Sequence, residues 1–147
     1  MSENRKMSEN RAAQSWIRPA IFQALVGIAV WMTFGLLLEG LIGYKTPAYL
    51  NDPVRRELFR LAHAHGTLLS LLLLGLALVC DRFEVRLASI VTLALRGGVV
   101  LMPIGFVRGG VWHYESDPGV GIWRVPVAAV MVVFGVVSLA IAFVGRK

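Results

Sequence analysis

Three histidines and one glutamate are the residues of this chain best suited to metal or haem chemistry. His63 and His65 stand one residue apart inside a long apolar stretch, His113 follows in a glycine-rich polar segment, and Glu39 lies near the end of an earlier apolar stretch. Imidazole and carboxylate together form a ligand set suited to zinc, copper or iron. One or two axial imidazoles with cations for the propionates would hold a haem b, and Arg56, Arg60, Arg108 and Arg124 fall at the corresponding level. The plain alternative for each histidine is an interfacial side chain bonded to nearby backbone or headgroup water, and for the arginines a headgroup phosphate.

Residues two apart on a helix point about 200° from each other, so His63 and His65 cannot easily ligate one ion together. His63 shares a face with Gly66, Thr67 and Ser70, small and hydroxylic residues that let membrane helices approach closely, so that face is expected to be buried against another helix. His65 shares a face with Leu68, Leu69, Leu72 and Leu76, which suits lipid, a partner subunit or a flat porphyrin surface.

Glu39 and Arg96 are the charged residues expected inside the apolar stretches, and intramembrane charges mark functional or structural sites because burying them is costly. Arg96 is expected near the midplane, with Glu39 about 8 to 10 Å away along the axis, within reach of an arginine side chain. A structural Glu39–Arg96 ion pair is one reading, and a proton or ion path the other.

The elements that must position these residues are four helices, about 20–43, 53–80, 87–107 and 122–144, whose apolar blocks, the second starting near Leu58, are each long enough to cross a hydrocarbon core of about 30 Å. Composition agrees: 56% of the 147 residues are hydrophobic, 16% charged, and the mean hydropathy is +0.67, too apolar for a soluble domain. The blocks lack the alternation of barrel strands, so the expected fold is an all-α integral membrane four-helix bundle, one domain over 16–147 with no soluble domain. Asp52 can cap the second helix with Pro53 in its first position. Gly97, Gly98 and Pro103 predict a kink or a close contact in the third helix. Residues 1–15 are polar and read as a disordered cytoplasmic segment, and the first apolar block is too long for a cleavable signal.

The net charge of +6 reads as membrane topology, with no call for nucleic acid. Eight Lys and Arg residues fall on the side of the two termini against six on the other, which predicts both termini inside, in a bacterial cytoplasmic membrane. The single cysteine, Cys80, cannot form an internal disulfide. Tyr44, Tyr49, Trp112, Tyr114 and Trp123 make an aromatic belt on the outer side.

The run from Leu61 to Leu69, with His63, Ala64, His65 and Gly66 at its centre, resembles the start of the second membrane helix in the catalytic subunits of haem-copper oxidases and nitric oxide reductases. There a histidine close to the outer end of that helix ligates the low-spin haem, so the resemblance implies His65 as an axial ligand. The family's other haem and copper histidines come from later helices, and no histidine lies in the third or fourth span here. The resemblance thus implies a haem b on one histidine, its other axial position filled by His113, a partner chain or nothing. The chain also looks like small bacterial four-helix membrane proteins with a His-x-His pair in one helix.

The expected function is a haem- or metal-binding redox or accessory component of a membrane electron-transfer complex. Its ligands would come from Glu39, His63, His65 and His113, with Arg60 and Arg108 near the propionates. Its partners would be membrane lipid and other membrane subunits, or copies of itself. The alternative is a cofactor-free structural or assembly subunit. No phosphate loop or nucleophile motif points to an enzyme, and no repeated pair of broken helices points to a transporter.

Overall fold

The computed structural model describes residues 15–145, so the expectation of disorder over 1–15 lies almost wholly outside the described residues. Helix α1 spans Ile17–Gly43, a four-residue helix α2 spans Pro47–Leu50, α3 spans Pro53–Arg82, α4 spans Ser89–Val111, and a 3₁₀ turn at Val120–Trp123 leads into α5 at Arg124–Val144. With the 3₁₀ turn joined to α5, four helices among the described residues are long and apolar enough to cross a membrane. The chain is therefore all-α, with the architecture of an integral membrane protein.

Sequence chemistry accounts for the boundaries. Asp52 accepts a hydrogen bond from the Arg55 backbone N–H at 2.9 Å and Pro53 occupies the first helical position, so α3 starts as its N-cap dictates. The expectation did not include α2, which opens on Pro47 and buries Tyr49. Short connections make the long helices alternate in direction. One end of the bundle holds the start of α1 and the end of α5 (the terminal end), and the other holds His113 (the histidine end).

The helices pack in chain order: α1 on α3, α3 on α4, and α4 on α5, while α1 and α5 share no extensive contact. Helix α4 is consequently the most enclosed of the four. Ala62, Leu73 and Ala77 of α3 and Leu95 of α4 are fully buried. The flanking helices α1 and α5 leave broad apolar faces exposed, including Phe22, Leu36, Val130 and Ile141.

Small residues set the two closest interfaces. Between α1 and α3, the Trp31 ring lies on Gly66, the His63 ring lies on Gly35, and the Ser70 hydroxyl lies over Gly27. Each helix thus offers glycine to the other's large side chain, the arrangement by which membrane helices gain packing without a hydrophobic drive. Between α4 and α5, a Cβ on Gly98 would lie 2.9 Å from the Ala128 carbonyl oxygen, so the close contact foreseen at the glycine pair is present. Pro103 is buried within α4.

Candidate functional site

The histidine end is organised around Asp52. Its Oδ2 accepts from His113 Nε2 at 2.8 Å and lies 3.5 Å from Arg55 Nη2, while Oδ1 holds the α3 N-terminus. Arg55 reaches further, donating through Nη1 to the Ala48 carbonyl at 2.9 Å and through Nε to the Gly110 carbonyl at 3.3 Å. One carboxylate and one guanidinium thereby tie α2, the start of α3, the end of α4 and the loop after it. That loop closes on itself through the Gly119 N–H, which donates to the Gly109 carbonyl at 3.0 Å, and through a bridge between Tyr114 and Asp117. Tyr49, stacked on Phe59, is buried beneath the network, and burial pushes its phenol above the ordinary value.

Burial alone would raise the Asp52 carboxyl, but the Arg55 backbone N–H, the His113 side chain and the charges of His113 and Arg55 together hold it below its ordinary value. A carboxyl depressed in the folded protein stabilises it above the unfolded value, about pH 4, and that contribution is lost as pH falls through the folded value. Asp52→Ala should therefore lower stability by about 1–2 kcal/mol at neutral pH, chiefly through the lost cap and the unpaired His113 and Arg55. The difference between parent and variant should begin to shrink below about pH 4 and level off only below the depressed folded value, where the parent too has lost its carboxylate. Thermal unfolding in detergent at neutral and acid pH checks both points, and a pH-independent difference would contradict the assigned role.

The histidines are placed apart. His63 points toward α1, where its Nδ1–H donates to the Trp31 carbonyl at 2.7 Å. His65 points the other way: its Nδ1–H donates to the Leu61 carbonyl at 2.9 Å, and its ring lies 5.0 Å from that of Phe106 on α4. The opposite facing follows from the two-residue spacing. The surroundings of His65 differ from the expected lipid or porphyrin face, because α4 packs there and half-buries the ring. A carbonyl can only accept, so Nδ1 carries a proton in both rings, and the neutral imidazole would present Nε2 as a lone pair. His113 has no such freedom, since Nε2 faces Asp52 and Nδ1 faces the Glu115 carbonyl at 3.3 Å.

Glu39, His63, His65 and His113 are thus not brought together, and among the described residues no three His, Cys, Asp or Glu side chains are grouped to hold a metal ion. Glu39 is exposed on α1. Arg60 pairs loosely with Glu57 at 3.9 Å, and Arg108 lies over the Trp112 ring, its guanidinium carbon 5.2 Å from the centroid.

The expected Glu39–Arg96 ion pair is also not formed. Arg96 Nε donates to Gln23 Oε1 at 2.9 Å, and Gln23 Nε2 donates back to the Arg96 carbonyl at 2.8 Å. Gln23 precedes Glu39 on the same helix by sixteen residues, which is about 24 Å of rise. The partner of Arg96 is therefore an amide close to the terminal end, and Arg96 lies about 10 Å above the start of α4. Gln23, the one Asn or Gln within the four long helices, was legible as an anomaly in an otherwise apolar stretch.

No protein-family model, curated protein or solved structure matches the chain.

Proposed function

We propose that the chain is a cofactor-free structural subunit of a larger membrane assembly. The observation that carries this reading is the mutual engagement of the polar groups at the histidine end, where Asp52, Arg55 and His113 bind one another and the loop backbone. These groups make a rigid cap on the bundle and not an open ligand set. The exposed apolar faces of α1 and α5 suit lipid, neighbouring subunits or further copies of the chain. We place both termini on the cytoplasmic side of a bacterial membrane, on the eight-to-six bias of basic residues. Cysteines introduced at Asp117 and Glu84 on a Cys80→Ala background should then label from outside and inside respectively, and the reverse pattern would invert the topology. Extraction in mild detergent should recover the chain with other membrane subunits or as an oligomer. Recovery as a monomer in every mild detergent would overturn the reading.

A haem or metal is the second reading, and one observation favours it. His63 and His65 each fix Nδ1–H on a backbone carbonyl and leave Nε2 unpartnered among the described residues, the orientation second-shell partners impose on ligating histidines. Of the two, His65 also follows from the resemblance to the oxidase helix. The absorption spectrum and metal content of the purified protein separate the two readings. A Soret band, or stoichiometric metal, that falls in His65→Ala would replace the structural reading with this one.

A further inference from the structure

We propose that Arg96, where Gln23 joins α1 to α4 near the terminal end, binds the phosphodiester headgroup of an anionic membrane lipid with its two Nη groups. Both helices flank α3 without packing closely along each other, and Gln23 and Arg96 bridge them. The guanidinium has five N–H donors in a planar fork. Gln23 takes the Nε edge, and among the described residues no partner meets the Nη edge. The ion pairs among the described residues join Asp52 to Arg55, Glu57 to Arg60 and Asp52 to His113, so none neutralises Arg96. A half-buried cation in a membrane-crossing helix is thus held in one orientation with its end-on, bidentate face open. That face matches two oxygens of a phosphate.

Depth selects the source of the anion. Gln23 lies about 9 Å and Arg96 about 10 Å above the helix starts, and side chains on a helix tilt toward its N-terminus. Arg96 therefore reaches toward the headgroups at the terminal end and away from the midplane. A carboxylate on a partner helix is the competing occupant, but it would have to sit in the headgroup region, where lipid phosphate is abundant.

Native mass spectrometry of the whole chain, titrated with phosphatidylglycerol or with phosphate-free diacylglycerol of matched acyl chains, tests the site. The parent should prefer phosphatidylglycerol by about tenfold or more, the worth of a charge-assisted hydrogen-bond pair. Arg96→Gln should abolish the preference, Arg96→Lys should keep part of it, and inorganic phosphate at the lipid's concentration should not displace the lipid. Equal binding of the two lipids by the parent overturns the proposal whether or not any variant folds. Full selectivity in Arg96→Gln also overturns it, as does displacement by inorganic phosphate, which would mark a free-anion site. Loss from Arg96→Gln of a co-purifying membrane protein, with no lipid preference in the parent, would assign the fork to a partner's carboxylate.

Discussion

Replacing Gly66 by leucine should separate α1 from α3. A Cβ on Gly66 would fall inside contact distance of the Trp31 ring, and that ring is braced edge-on by Phe34, with centroids 5.8 Å apart. Neither side can yield cheaply. The α3 backbone at Gly66 is buried in a continuous helix, and Trp31 cannot leave without uncovering the interface its ring fills. Overpacking of this kind costs about 1–3 kcal/mol, occasionally more, and leucine adds three carbons to the methyl that already collides. The expected result is a lowered unfolding temperature and loss of the compact species on size exclusion in mild detergent. Trp31→Ala should rescue part of the loss in the Gly66→Leu background, since removing the ring opens the space leucine needs. A Gly66→Leu variant as stable as the parent would mean that the face carrying His63, Gly66 and Ser70 is not the one turned to α1.

That face was legible before any coordinates. Small residues at helical spacing beside His63 specified a buried seam, and the structure buries Gly66 and Ser70 against α1. The four apolar blocks and the Asp52 cap were legible for equally local reasons: length, hydropathy and one side chain bonding three residues ahead. What required the folded chain was register between helices. The rise per residue places Glu39 and Arg96 along their own axes but not relative to each other, because it carries no information on how the starts of α1 and α4 are offset in the bundle. Gln23 fixes the level directly, by bonding Arg96 from both ends of its amide. His113 is a similar case. The sequence places its loop at the end of the bundle and marks Asp52 as a helix cap, but it is the second Asp52 oxygen that binds His113. A carboxylate has acceptor sites to spare after capping a helix, and that surplus is the sequence-level hint that was available.

Gly98 should lose stability on replacement by alanine and Gly97 should not, although they are adjacent in α4. At Gly98 the new methyl would stand 2.8 Å from Val132 Cγ2 and 2.9 Å from the Ala128 carbonyl oxygen of α5. A backbone carbonyl cannot rotate away without breaking its own helix, so α4 and α5 must part. The same seam is tight at Gly105, where a Cβ would lie 3.0 Å from Val125 Cγ2, and at Gly135 of α5, where it would lie 2.9 Å from Leu95 Cβ. A local separation is therefore transmitted along both helices, and Gly98→Ala should lose about 1–3 kcal/mol. At Gly97 the one neighbour from another helix within reach among the described residues is the terminal methyl of Met131, at 2.9 Å. Methionine has three side-chain torsions with which to withdraw it. Alanine is also favoured over glycine in a helix interior by about 0.5–1 kcal/mol, so Gly97→Ala should be neutral or stabilising by up to that amount. Unfolding of the two variants in one detergent provides the comparison. Equal losses would show that α4 does not present one glycine to the α5 backbone. A reversed order would mean that α4 is turned by one residue, about 100° about its axis, which would also withdraw Leu95 from Gly135.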